Sequence, residues 1–517
     1  MMKKKIAIVG SGISGIGALY ALKDTDHEVH LFEAGDRLGG HTNTVDFHHD
    51  GKKIPVDTGF IVMNTATYPN FLTFLRRLRI NTKPTNMTFG ISRDHGAFEW
   101  AGTSLKTIFA QSSNLFSLRF WRMIFDIVRF NQFALDLLSD ESEALSALTI
   151  GEYLEQEGYS DGFRDDYLIP MTACVWSTGP DKCALEFPAV TLVRFLWNHH
   201  LLSTVSTRPL WLTIPGGSKQ YIDAVLKSFP RAKIHLSKPV RSLLNGPDGR
   251  VNLVFDEAEN RTFDYVILAC HGDQAMDIIS ATASEVEQEI MSVFQTTPNT
   301  AYLHSDTSLL PKRHSTWSAW NYLTLSSPQR SPAGLYHASP SGPAGALQKV
   351  SLTYNMNILQ HFPSPKSTTP SPSSRRAHIL VTLNPPYPPA PHLTQAVIDY
   401  AHPLYNAASI HAQKRLEEIQ GVRGIYYCGA WTGYGFHEDG FRSGIEVATR
   451  MELGGLVSWQ IQDARAARGV KPASSWQDSL ARIMILVVLI LIRIVARIGS
   501  GLGVGGGREG GMRVKKR

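Results

Sequence analysis

Two glycine-rich stretches carry the residue types that could do chemistry. Near one end the chain reads GSGISG, Gly10 to Gly15, and near the other CGAWTGYGFHEDGFRSG, Cys428 to Gly444. In the first, Gly10, Gly12 and Gly15 fit G-x-G-x-x-G. Gly10 permits a tight turn, Gly12 lets the backbone approach a pyrophosphate, and Gly15 lets helix and strand pack closely. Phosphate would rest on the helix N-terminus, where free N–H groups and the dipole favour negative charge. The second stretch contains His437, Glu438 and Asp439. Two chemistries fit them. They can cap a helix and satisfy loop N–H groups, or His437 or Glu438 can border a reacting centre and handle a substrate proton. A metal site is not indicated, because no second histidine stands at ligand spacing.

The elements around the first stretch support its reading. KKIAIV gives a short buried strand, Ile6 to Val9, and the residues after the glycines give a helix. HEVHLFEA gives a second strand, His30 to Phe32, ending in Glu33. A carboxylate about twenty residues beyond the glycines can accept ribose hydroxyls. A secretory signal is rejected, since the apolar run is broken by glycines and Asp24 and Asp26 follow without a cleavage site.

A length of 517 residues predicts more than one domain. Hydrophobic content of 43% and charged content of 19% describe a folded chain. The net charge of +6 sits largely at the ends, Lys3 to Lys5 and Arg508 to Arg517, so no basic face for nucleic acid is indicated. The four cysteines, Cys174, Cys183, Cys270 and Cys428, form no C-x-x-C pair. A reducing compartment follows rather than a disulfide framework.

FEAGDRLGGH, Phe32 to His41, resembles the E-A-x-x-R-x-G-G segment of the flavin-containing amine oxidase, protoporphyrinogen oxidase and phytoene desaturase superfamily. The resemblance implies that Ser14, Glu33, Ala34, Arg37, Gly39 and Gly40 contact FAD, the second glycine pair at its pyrophosphate and ribityl region. His41 stands where the family usually has Arg. VDTGFIV, Val56 to Val62, is similar to the family strand that brings backbone near the flavin. WLTIPGGSKQYIDAVLKSF, Trp211 to Phe229, resembles its glycine turn before a helix. Val240 would pair its backbone with adenine. The Cys428–Gly444 stretch resembles the C-terminal FAD segment. There Gly429 would approach the ribityl phosphate, while Gly440 and Phe441 would aim N–H groups at flavin N1 and the C2 carbonyl. Ala430 replaces a usual acidic residue, which marks a divergent branch of amine-oxidase-like, predicted NAD/FAD-binding proteins. The resemblance covers most of residues 1–455.

The fold implied is α/β. A discontinuous Rossmann-like FAD domain (1–65, 211–279 and 421–455) carries an inserted α+β substrate domain (66–210 and 280–420). The first inserted block reads as helical in NLFSLRFWRMIFDIVRFNQFALDLL, with arginines at a solvent edge or a membrane-facing substrate entrance. The second reads as strands and supplies candidate pocket residues His304, Trp320, Tyr322, Tyr354 and Asn357. Ser/Pro-rich stretches near 325–346 and 362–376 read as surface insertions. Asp273 reads as a helix cap, and Cys428 as a buried packing residue rather than a flavin-linking thiol.

The tail LARIMILVVLILIRIVARIG begins at Leu480. Ile483–Ile498 would give roughly 24 Å of helix against a hydrocarbon core of about 30 Å. With Arg493 and Arg497 able to snorkel, membrane attachment over 480–498 is expected, as an anchor or a monotopic helix, with a buried core helix as the alternative. A flexible basic tail, 499–517, follows.

The expected function is that of an FAD-dependent oxidoreductase. Hydride would pass to the flavin from an amine or from a C–H bond of an apolar, lipid-like molecule. The alternatives are a non-catalytic FAD protein and an NAD-binding dehydrogenase. His437, Glu438 and His304 are the catalytic candidates. An intracellular, membrane-associated location and a small-molecule or lipid-like substrate complete the expectation.

Overall fold

The computed structural model describes residues 2–139, 148–176, 183–202, 209–256, 259–324, 351–363, 377–451, 457–463 and 476–501. Nearly all of the Ser/Pro-rich stretches and of the basic tail lie outside these residues.

In chain order the elements that build the site begin with β1 (Lys5–Val9), α1 (Ile13–Ala21), β2 (Glu28–Phe32) and α2 (Pro69–Arg77). Then come β3 (Phe89–Arg93), β4 (Phe98–Ala101), α3 (Leu118–Phe133), β5 (Lys233–His235), β6 (Tyr265–Leu268) and α4 (Gly272–Ile279). The strands β7 (Thr296–His304), β8 (Trp320–Thr324), β9 (Ser351–Asn355), β10 (Leu380–Leu383) and β11 (Thr394–Pro403) follow. The last elements are β12 (Ile425–Tyr427), α5 (His437–Arg450) and α6 (Trp476–Gly501).

One sheet is parallel throughout, in the order β5-β2-β1-β6-β12. Its central strand β1 is almost wholly buried, as its unbroken apolar run requires of a strand covered on both faces. On one face α1 crosses α5 at close backbone approach. A Cβ on Gly444 would stand 2.0 Å from the Ser14 carbonyl oxygen, and one on Gly17 would stand 2.9 Å from that of Phe441. Only glycine permits two backbones this close.

The second sheet has seven strands in the order β11-β7-β10-β9-β8-β3-β4. Its neighbours are antiparallel except β8 and β3. The block expected to be helical therefore also gives two strands to this sheet. The signal was present in FGISRDHGAFEW, two short runs joined by Asp-His-Gly. Ala301, Leu303, Val381 and Leu383 turn one face of this sheet toward Val56, Ile61 and Val62. The same face continues through Trp320 and Tyr354 to Trp100 and to Phe120 and Met123 of α3.

In α3 Arg119 is exposed and Arg122 half-buried, as expected of a solvent edge, but Arg129 is not. Arg129 is buried and donates to Glu157, while Arg119 pairs with Asp166. The buried carboxylate of Asp126 lies 3.9 Å from Arg129, a pairing that apolar periodicity alone does not show.

The membrane-spanning expectation is not met. Among the described residues no helix is long and apolar enough to cross a membrane. Arg482 and Arg493 confine the unbroken apolar run of α6 to Ile483–Ile492, a rise of about 15 Å, half of a hydrocarbon core. Instead α6 lies on the body of the protein. Arg482 donates to the Gln132 carbonyl at 2.6 Å and pairs with Asp136 at 2.7 Å, and Ile485 and Leu489 bury one stripe.

Candidate active site

The N-terminal glycine turn leaves β1 and enters α1 with each glycine constrained differently. Gly10 has φ +102°, and a Cβ there would stand 2.8 Å from the Ala269 carbonyl oxygen. A Cβ on Gly15 would stand 2.0 Å from the Gly10 oxygen. At Gly12 a Cβ would meet no protein atom within 4 Å. Gly12 therefore faces open space at the N-terminus of α1, where a diphosphate would lie. Gly40 covers the turn: its Cβ would stand 3.3 Å from the Gly12 Cα.

Around this cradle, Glu33 accepts from the Ser11 N–H at 2.9 Å, the Ser11 hydroxyl, and the Gly35 N–H at 2.8 Å. One lone pair, on Oε1, stays open for a ribose hydroxyl. Ala34 continues the chain beside it. Gly39 donates to the Ser11 carbonyl at 3.1 Å, and Arg37 folds over the loop onto the Gly40 carbonyl at 2.9 Å. Val240 is held between two bonds, Lys238 N–H to Glu33 and Arg241 N–H to Val254. Ser14 is a correction. Its hydroxyl donates to the Ala269 carbonyl at 3.2 Å, tying α1 to the end of β6 rather than facing the cradle.

His41 replaces the family arginine among groups that sequence reading missed. Its ring stacks on Tyr400 at 4.9 Å and meets His402 edge-on at 4.9 Å and His271 at 6.0 Å. The His41 Nε2 has no hydrogen-bond partner in the described structure. Burial, and then His402 and His271, hold its pKa well below the usual value. Burial takes His402 down to about 4. His271 precedes α4 and His402 lies in β11, so three distant segments meet here. No sequence spacing signals that meeting.

The C-terminal turn is filled by protein. A Cβ on Gly429 would stand 2.2 Å from Trp431 Nε1, and one on Gly440 would stand 2.7 Å from Ile13 Cγ2. The Gly440 N–H already donates to the Phe436 carbonyl at 3.1 Å, and Phe441 is fully buried against Phe71 and Phe74. Because α5 starts at His437, its first-turn N–H groups belong to His437, Glu438 and Asp439. The expected donors shift one turn earlier.

The side chains of His437, Glu438 and Asp439 are each engaged with protein. The His437 ring stacks on Phe60 at 3.7 Å, and its Nε2 bonds the Tyr221 hydroxyl at 2.9 Å. Burial takes its pKa down to about 3, so it stays neutral. Glu438 accepts the N–H groups of Asn70 at 3.0 Å and Phe71 at 2.9 Å, the first turn of α2. It thus caps a helix 368 positions away. Burial raises its pKa to about 7 against those donors. Asp439 holds the loop through the Tyr434 and Phe436 N–H groups, each at 3.0 Å.

His304, the third catalytic candidate, lies elsewhere. It alternates with Leu303, which faces Val56 and Val62, so His304 projects to the other face of the sheet. There its Nε2 bonds the Thr382 hydroxyl at 2.7 Å and its Nδ1 accepts the Asp306 N–H. Burial takes it to about 4. Asn357 is likewise spent on main chain, donating to the Ala377 carbonyl at 2.8 Å. Trp320 differs: it stays on the apolar face with a buried Nε1 that has no partner. Among the described residues no group of histidine, cysteine, aspartate or glutamate could hold a metal ion. Cys428 is fully buried.

The family model for flavin containing amine oxidoreductase matches residues 13–452. The chain belongs to this family. FAD is its cofactor, and the open face at Gly12 fits the diphosphate. The 15-cis-phytoene desaturase of Narcissus pseudonarcissus is 26% identical over 212 residues, 38% of this chain and 35% of that protein. The chain thus aligns with about a third of the length of that relative. Among solved structures, a putrescine oxidase superposes with a TM-score of 0.58 at 14% identity, covering 87% of this chain and 99% of the other. Cyclohexylamine oxidase from Brevibacterium oxydans superposes with a TM-score of 0.55 at 14% identity, covering 87% and 100%. These two likenesses concern the fold alone.

Proposed function

We propose that the chain is an FAD-dependent oxidoreductase acting on a C–H bond of an amine or of an apolar, lipid-like molecule. The observation that carries this is the cradle at Gly12, open to a ligand and covered by Gly40, in a chain of the flavin family. When bound, the flavin supplies the hydride acceptor.

In this reading Gly10, Gly12, Gly15, Gly39 and Gly40 shape the diphosphate site. Glu33 and Ala34 would meet the ribose, Val240 the adenine, and Arg37 and His41 the phosphate and ribityl side. The N-terminus of α5 would favour negative charge on a flavin bound against it. The parallel sheet and its helices form the cofactor domain, and the seven-stranded sheet with the helices around α3 forms the substrate domain.

The residues of this chain bind, orient and exclude water. His437, Glu438 and His304 are engaged in packing, capping and strand contacts, so proton transfer by any of them is not part of the proposal. Apolar side chains of the seven-stranded sheet, Trp320 and Tyr354, and of the segment packed on it, Ile61 and Val62, favour an apolar substrate over a charged amine. We further propose that the chain associates with a membrane surface without crossing it.

The test is the visible spectrum of the purified protein before and after anaerobic dithionite. A yellow protein that bleaches supports the reading, and the same bleaching then ranks amines against fatty acids and isoprenoids. A colourless protein that takes up no added FAD overturns it.

A further inference from the structure

Helix α6 exposes too much apolar surface for water. Ile485 and Leu489 bury a stripe, while Ile483 is 58% exposed, Val487 52%, Leu491 55% and Val495 68%. At 3.6 residues per turn the exposed apolar positions from Leu480 to Val495 span an arc of about 200°. A partner helix covers a single seam of such an arc, whereas fluid hydrocarbon wets all of it.

Three further observations select lipid. Trp476, 74% exposed, stands at one end of the helix, and exposed Arg493 stands at the edge of the arc near the other. An aromatic ring and a snorkelling guanidinium belong at a headgroup boundary. The last ten residues of the sequence contain five basic residues and one acidic one, which suits anionic headgroups. Finally, α6 rests on α3, and at the start of α3 Phe116 and Leu118 are each 88% exposed.

We propose that the outer arc of α6, together with the Phe116–Leu118 tip, is a monotopic docking surface for an anionic lipid bilayer. The helix lies in the interface, pinned to the protein by Arg482 and Asp136. This names the surface and the lipid class for the membrane association proposed above, and rests on that reading. It also places a bilayer beside α3, whose inner side packs on the apolar face near Trp320 and Tyr354.

The test is flotation of the full chain, holding its flavin, with vesicles of phosphatidylcholine alone or mixed with phosphatidylglycerol. The expected result is co-flotation with the anionic vesicles, weakened by salt. Val487→Glu combined with Leu491→Glu should lower the bound fraction about tenfold or more. Both positions are exposed, so the melting temperature and flavin spectrum of the variant should match the parent. Absence of flotation, or equal flotation of the variant, overturns the proposal. So does a parent that is oligomeric by light scattering, ignores vesicles and becomes monomeric in the variant, since the arc would then join two copies of the chain. Dithionite bleaching of the same samples reports separately on the flavin reading.

Discussion

The two glycine-rich turns look alike in sequence and differ in what their glycines admit. At the N-terminal turn Gly10 and Gly15 are filled by backbone, but Gly12 opens onto space. At the C-terminal turn the glycines meet protein: Gly429 meets Trp431, Gly433 meets Asp439, Gly435 meets Tyr405, and Gly444 meets Ser14. One turn makes room for a ligand, and the other makes room for the chain that closes behind it. Glycine spacing therefore reports close approach without saying what approaches.

The comparison breaks most sharply at the helix crossing. Gly444→Ala would drive a methyl into the Ser14 carbonyl, backbone against backbone. The expected loss is about 4 kcal/mol or more, read as loss of soluble protein or a steep fall in melting temperature. A variant melting within a few degrees of the parent would show that the crossing tolerates separation.

Next comes Glu438. Glu438→Ala leaves the N–H groups of Asn70 and Phe71 buried without an acceptor. About 2–3 kcal/mol should be lost in denaturant unfolding, with part restored by Glu438→Gln. Loss of turnover at unchanged stability would instead give Glu438 a chemical role.

The same neighbours predict opposed pH responses. The folded-state pKa of Glu438, about 7, lies above the ordinary carboxylate value. Between those values the folded chain holds a proton that the unfolded chain has released. This contribution to stability is present at low pH and lost as pH rises toward 7. His437, at about 3, lies below its ordinary value. There the unfolded chain binds the extra proton, so stability is lost as pH falls below about 6.5. Glu438→Gln should remove the first slope and leave an acid-labile protein. His437→Phe should reduce the acid loss. Melting temperature against pH for both variants checks the two signs.

Gly12→Ala separates the functions of the turns more finely. No protein atom obstructs the new methyl, so stability should fall by about 1 kcal/mol or less. Bound flavin, measured by absorbance ratio, should nevertheless fall about tenfold. Gly440→Ala should do the reverse, costing about 1–3 kcal/mol against Ile13 while retaining flavin. The smallest effect is expected at His304. His304→Gln should lose about 1 kcal/mol of stability and leave the flavin reduction rate unchanged, since the side chain lies on the far face of its sheet.

Much of the cofactor half was legible because its signals are local. Strand, glycine turn, helix and acidic strand end fall within residues 5–40. What escaped was assembled across distance. Ser11 was overlooked between two named glycines, though it bonds both Glu33 and Gly39. His271 and His402 meet His41 only because β6 and β11 end near it. Glu438 reads as a cap of its own helix, and the fold lends it to α2. The apolar run of α6 was plain, but one stripe buried on the body and two arginines decide that it lies flat.

The packing of α1 on α5 also has a consequence in time. The cradle at Gly12 is formed by residues near the start of the chain, but the parallel sheet is completed only by β12, and α1 is covered only by α5. At about 5–20 residues per second a ribosome takes on the order of a minute between the two. Throughout that interval the nascent N-terminal turn has no helix against Gly17 and no closing loop. A cradle of this design would therefore be complete only after synthesis of nearly the whole polypeptide.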